Sequence, residues 1–119
     1  MNKMKSLYEA YENLHTALPE LIDISERSNQ SGLYLVFNGS SKIARQLEEA
    51  KFSILLQSHS LNDDNFCILK KIDEIKKKLL DHADILGDDV ATEVNFDGFR
   101  DSLFVYSLSL TLKIYRSLA

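Results

Sequence analysis

The sequence predicts an all-α domain, a bundle of four main helices, on three observations. Apolar residues recur at three-and-four spacing from Met4 to Ile22 and again from Phe66 to Leu86, the pattern of an amphipathic helix. Oppositely charged residues sit four apart inside the second stretch, at Asp73–Lys77 and Glu74–Lys78, in the orientation that supports a helix. The single proline, Pro19, and the four glycines, Gly32, Gly39, Gly87 and Gly98, divide the chain into segments. With 119 residues the chain has the size of one domain, so 1–119 is read as a single helical domain. A minority reading stands beside it: an α+β domain with a small antiparallel sheet from 33–37, 90–96 and 103–115.

The first segment runs from about Lys3 to Ser28. Its stripe of Met4, Leu7, Tyr8, Tyr11, Leu14, Leu18, Leu21 and Ile22 continues in phase across Pro19. Proline removes one helical hydrogen bond and clashes with the preceding turn. The expectation is one kinked helix or two short helices meeting at Leu18, closed by Ser28-Asn29-Gln30-Ser31 with Gly32 as the C-terminal cap.

The second segment spans Leu33 to Ser58. Ile43, Leu47, Ala50, Phe52, Ile54 and Leu55 predict a helix from about Ser41, with Ser40 or Ser41 at its N-terminus. Leu33-Tyr34-Leu35-Val36-Phe37 reads equally as a buried strand closed by Asn38-Gly39 or as the first turns of a longer bent helix. Five apolar residues do not decide between these by periodicity.

The third segment begins at a cap among Asn62, Asp63 and Asp64. It carries Phe66, Ile68, Leu69, Ile72, Ile75, Leu79, Ala83 and Leu86 on one face and stops at Gly87. The fourth runs from about Asp97 to Leu118. Tyr106, Leu108, Leu110, Leu112 and Ile114 alternate with Ser107, Ser109, Thr111 and Lys113, which is strand periodicity. Upstream, Val90, Thr92, Val94 and Phe96 alternate as well, and Asp97-Gly98 is a hairpin turn pair. A helix is preferred, with Asp97 as its N-cap, because three helices leave a slot for a fourth.

Composition bounds the function. A net charge of −4 argues against a nucleic-acid partner, which selects for basic surfaces. It suits a basic protein partner, and it also suits solubility alone. Cys67 is the only cysteine, so no internal disulfide forms and a reducing compartment is expected. The basic start at Met1-Asn2-Lys3 lacks an apolar stretch behind it. The apolar run from Leu103 to Leu118 is too short and too polar to cross a membrane. These points lead to a cytoplasmic protein with no membrane contact.

No motif carries chemistry. Glu93-x-Asn95-x-Asp97-Gly98 resembles the front of a calcium loop, but position twelve is Phe104 and supplies no bidentate carboxylate. His15, His59 and His82 have no metal-ligand spacing, and no cofactor is expected. Lys70, Lys71, Lys76, Lys77 and Lys78 alternate with acids and read as a solvated helix face. The unusual feature is Asp81, Asp84, Asp88 and Asp89 around the end of the third segment. Acids there oppose the helix dipole, so they are the candidate partner-binding residues, against the alternative of a solvated helix end. The expectation is a non-enzymatic protein-binding module, such as an immunity or inhibitor protein or a regulatory adaptor. A self-associating structural bundle, a homodimer, is the alternative. A nucleic-acid binder or an enzyme with an unrecognised site ranks lower.

Overall fold

The computed structural model describes residues 3–116. The basic start at Met1 and Asn2 and the expected helix end at Leu118 lie outside the described residues.

Every second residue of 50–56 and 106–114 is apolar, and both stretches are extended strands rather than helices. The elements in chain order are α1 (Leu7–Ala17), β1 (Ile22–Asp23), a 3-10 turn (Ile24–Glu26), β2 (Gly32–Ala44), β3 (Leu47–Ser58), α2 (Ile68–Asp81), α3 (Ala83–Leu86), β4 (Ala91–Arg100) and β5 (Leu103–Tyr115). The strands form one five-stranded sheet in the order β1-β2-β3-β5-β4. β1 pairs with β2 in parallel, and every other pair is antiparallel.

The expectation of a four-helix bundle is therefore overturned, with a physical reason for each lost helix. The fourth segment is two strands because its alternation is real. Leu108, Leu110, Leu112 and Ile114 point to the core, while Ser107, Ser109, Thr111 and Lys113 face the other way. A centrally paired strand with one wet face must look like this. The same holds for β3, where Ala50, Phe52, Ile54 and Leu56 are buried between Lys51, Ser53 and Leu55. The β2–β3 turn is Arg45-Gln46, joining Ala44 to Leu47. Neither residue has positive φ, so no glycine or asparagine announces the turn. Ser40 and Ser41 lie within β2 and cap no helix. The three stretches of the minority reading fall in or beside β2, β4 and β5, yet the sheet is larger than that reading held and includes β3.

Asp97-Gly98 is not the hairpin turn and Asp97 caps no helix. The β4–β5 turn is Asp101-Ser102, with φ of 51° and 65°, the two left-handed residues that a type I′ turn requires. Gly98, at φ 143°, sits instead at a β-bulge between Phe96 and Gly98.

Two expected helices are present in shortened form. α1 is capped by the Ser6 hydroxyl, which accepts from the Glu9 amide at 3.0 Å. It stops at Leu18, because the residue before a proline is pushed out of the helical region. Leu21 onward leaves the helix for β1. α2 starts after Cys67. Asp63 accepts from the Asn65 and Phe66 amides in the loop ahead of it without capping the helix itself. The helix breaks at His82, whose Nδ1 meets the Lys78 carbonyl at 2.8 Å, and α3 ends at Gly87 with φ 96°.

The helices cover one face of the sheet. Ala10, Leu14 and Leu18, with Ile68, Ile72, Ile75 and Leu79, pack on Leu33, Leu35, Phe52, Ile54, Leu56, Leu108, Leu110 and Leu112 in one core. Burial at about 25 cal/mol per Å² of apolar surface makes this layer the main source of stability. The opposite face carries Lys51, Ser53, Ser107, Ser109, Thr111 and Lys113, half-buried or exposed. At one end the segment after β1 folds across that face.

Candidate functional site

The β4–β5 hairpin positions the feature that stands out from an ordinary α+β surface. Side chains alternate along a strand, so Phe96 and Phe99, three apart, would normally face opposite ways. The bulge at Gly98 inserts one residue and brings both to the helix-side face, where Phe96 pairs with Tyr106 and Phe99 with Phe104. The ring centroids are 5.2 Å apart in the first pair and 4.6 Å in the second, distances at which aromatic rings attract beyond simple burial. Ala91 and Val94, earlier on the same face, pack against the core. Phe96 and Phe99 lie past the helices and remain 57% and 55% exposed. The loop from His59 to Cys67 borders this end: Ser58 Oγ donates to the Phe66 carbonyl, and His59 Nδ1 lies 3.0 Å from the Ser102 carbonyl.

Both outer strands leave an edge open among the described residues. β4 pairs only with β5, and β1 covers β2 only at Tyr34 and Leu35. The β2–β3 and β4–β5 pairings each carry two register shifts.

The four aspartates proposed from the sequence are all exposed, on α2, on α3 and in the loop that follows it. Asp81 is exposed and pairs with Lys77 at 3.2 Å. Asp84 is exposed on α3. Asp88 and Asp89, in the loop after Gly87, line a cavity of about 600 Å³ together with Glu49, Lys3, Lys51 and Lys113. The lysine run is largely engaged: Lys71 meets Glu20 and Glu74, and Lys78 meets Glu74 at 3.1 Å. The expected Asp73–Lys77 pair gives way to Lys77–Asp81. Glu93, Asn95 and Asp97 lie on extended β4 and not in a loop, and Asn95 donates to Glu93. Among the described residues no group of three His, Cys, Asp or Glu could hold a metal ion.

Three titrating groups are displaced by specific neighbours. Hydrogen bonding to Asp23 raises the Tyr11 phenol, with desolvation and the Asp23 charge adding to it. The Ser40 hydroxyl and then the Arg116 guanidinium hold Glu48 below the usual carboxylate range. The Lys78 ammonium, followed by Lys71, does the same for Glu74. None of these groups lies beside the aromatic pairs in the sheet.

Sequence reasoning missed Phe96, Phe99 and Phe104. The signal is two phenylalanines flanking Asp97-Gly98, which the preferred reading makes a helix start and the minority reading a hairpin turn, whereas it is a bulge. No protein-family model matches the chain, and no curated protein matches it. No helix among the described residues is long and apolar enough to cross a membrane.

Proposed function

We propose that this chain is a non-enzymatic protein-binding module that docks another polypeptide on the aromatic end of its β4–β5 hairpin. The observation that carries the reading is the exposure of Phe96 and Phe99 on one face, backed by Tyr106 and Phe104. Aromatic side chains are enriched at protein interfaces because they bury large area at low entropic cost. A folded domain seldom spends a bulge to turn two phenylalanines toward water without a partner for them. The chain's negative balance favours a basic partner, and the lone Cys67 favours a reducing compartment such as the cytoplasm.

The test compares the tagged wild-type chain with a Phe96→Ser/Phe99→Ser double variant as baits in its native host. The expected outcome is one stoichiometric protein retained by the wild type and lost from the variant, with both baits equally folded by circular dichroism. The same protein recovered equally by both, or none by the wild type, removes the surface from the argument.

A second reading is self-association, favoured by the two open sheet edges, which present unpaired backbone groups for a neighbouring copy. It ranks below the first because the register shifts on β2 and β4 bend these edges, the device that proteins use to discourage edge pairing. Light scattering across a concentration series separates the two: a mass above that of the monomer supports self-association.

A further inference from the structure

On the opposite face of the sheet, away from the aromatic pairs, a cavity of about 330 Å³ opens between the segment after β1 and the β4–β5 hairpin. Its floor is apolar, with Leu55, Leu103 and Val105. Its rim holds two guanidiniums, Arg27 and Arg100, and two carboxylates, Asp97 and Asp101.

One guanidinium is fixed in place. Gln57 is fully buried, and its Nε2 donates to the carbonyls of Ser28 and Gln30, both at 2.6 Å. With the amide nitrogen committed, its Oε1 must face the other way, where it accepts from Arg27 Nε at 2.9 Å. A side chain with all its polar atoms satisfied inside the protein holds its orientation. Arg27 is thus anchored through Nε, while its terminal nitrogens have no hydrogen-bond partner or ion pair among the described residues. Arg100 likewise has none, although two carboxylates line the same cavity. Asp97 accepts instead from Ser107 Oγ at 3.1 Å.

We propose that this cavity binds an α-carboxylate carried on an apolar residue. The planar fork of Arg27 matches a carboxylate geometrically, and Leu55, Leu103 and Val105 take the side chain. Pre-anchoring by Gln57 spares part of the entropy that a free arginine would lose on binding. A volume near the lower end for small-ligand pockets fits one residue and little more. The same group occurs on a free amino acid and at the C-terminus of a chain. The carboxylates Asp97 and Asp101 discriminate between them, because only the free amino acid brings an ammonium group.

The experiment is a nuclear magnetic resonance titration of the isotope-labelled chain with L-leucine, N-acetyl-L-leucine and L-leucinamide, following the Gln57 side-chain amide and the Arg27 Nε–H. The expected result is saturable shifts at both groups with a carboxylate ligand and none with leucinamide. Arg27→Ala should weaken binding at least about tenfold, the loss of one charge-assisted contact, and Arg27→Lys, which lacks the fork, should restore only part of it. Tighter binding of leucine assigns the site to free amino acids, and equal or tighter binding of the acetylated form assigns it to chain ends. Absence of saturable shifts, equal shifts with leucinamide, or unchanged affinity in a folded Arg27→Ala variant would overturn the proposal. Each of these leaves the aromatic face untouched, so this site and the proposed protein-docking surface succeed or fail separately.

Discussion

The Tyr11 hydroxyl lies 3.0 Å from both carboxylate oxygens of Asp23, joining the middle of α1 to the two-residue strand β1. β1 touches β2 at only two register positions, so this contact does much to hold the chain where it leaves the helix layer for the sheet. His15 completes the cluster, with its ring 4.6 Å from that of Tyr11 and its Nε2 3.8 Å from Asp23.

The contact predicts an alkaline weakness. The phenol's folded value is raised, so the neutral form is the one that the fold favours. Its contribution is fully present below the ordinary value of 10.0 and is lost as pH rises through the raised folded value. Phenolate absorbance should show one tyrosine ionising above 10.0, a step that Tyr11→Phe removes. Tyr11→Phe should be less stable than the wild type at neutral pH and should lose less stability on going alkaline. A variant with the wild-type alkaline profile would break the assignment.

Glu48 and Arg116 predict the complementary behaviour in acid. Arg116 Nε meets Glu48 at 3.0 Å, and its amide donates to the Gln46 carbonyl, so the end of β5 is tied to the β2–β3 turn. Because the Glu48 folded value is lowered, the stabilisation is present above the ordinary carboxylate value and fades as pH falls through the folded one. Denaturant unfolding at neutral and acid pH should show a smaller acid loss for Glu48→Gln than for the wild type. Glu74, lowered by Lys78 and Lys71, contributes to the acid loss that persists in the variant. Identical acid losses in the two proteins would show that the pair contributes nothing.

The β4–β5 turn offers a stabilising change. Ser102 holds φ 65°, a conformation that costs a residue with a side chain about 1 kcal/mol more than glycine. Ser102→Gly keeps the backbone carbonyl that faces His59 and completes the Asp-Gly pair favoured in type I′ turns. The variant should gain about 1 kcal/mol, or about 4 °C in Tm for a domain of this size. A lower Tm would mean that the turn relies on the serine side chain.

By itself the sequence determined the local features. Three-and-four spacing marked α1 and α2, whose buried stripes at Leu14 and at Ile68, Ile72, Ile75 and Leu79 are real. Strict alternation is present at 106–114, where the helix preferred to fill a fourth slot is wrong, and Pro19 and Gly87 marked stops. These are properties of a chain against its own backbone, so periodicity carries them. The tertiary structure alone decided the rest. Strand pairing joins residues far apart in sequence, such as Ala50 and Leu112, and no local pattern encodes that. The Arg45-Gln46 turn is held by the pairing of β2 with β3 and not by its own composition, which is how a hairpin passed for a helix. The same cause hid the candidate surfaces. A bulge at Gly98 put Phe96 and Phe99 on one face, and the folding of Arg27 over buried Gln57 fixed a guanidinium, because in each case the position of one side chain depends on a neighbour that only the assembled sheet supplies.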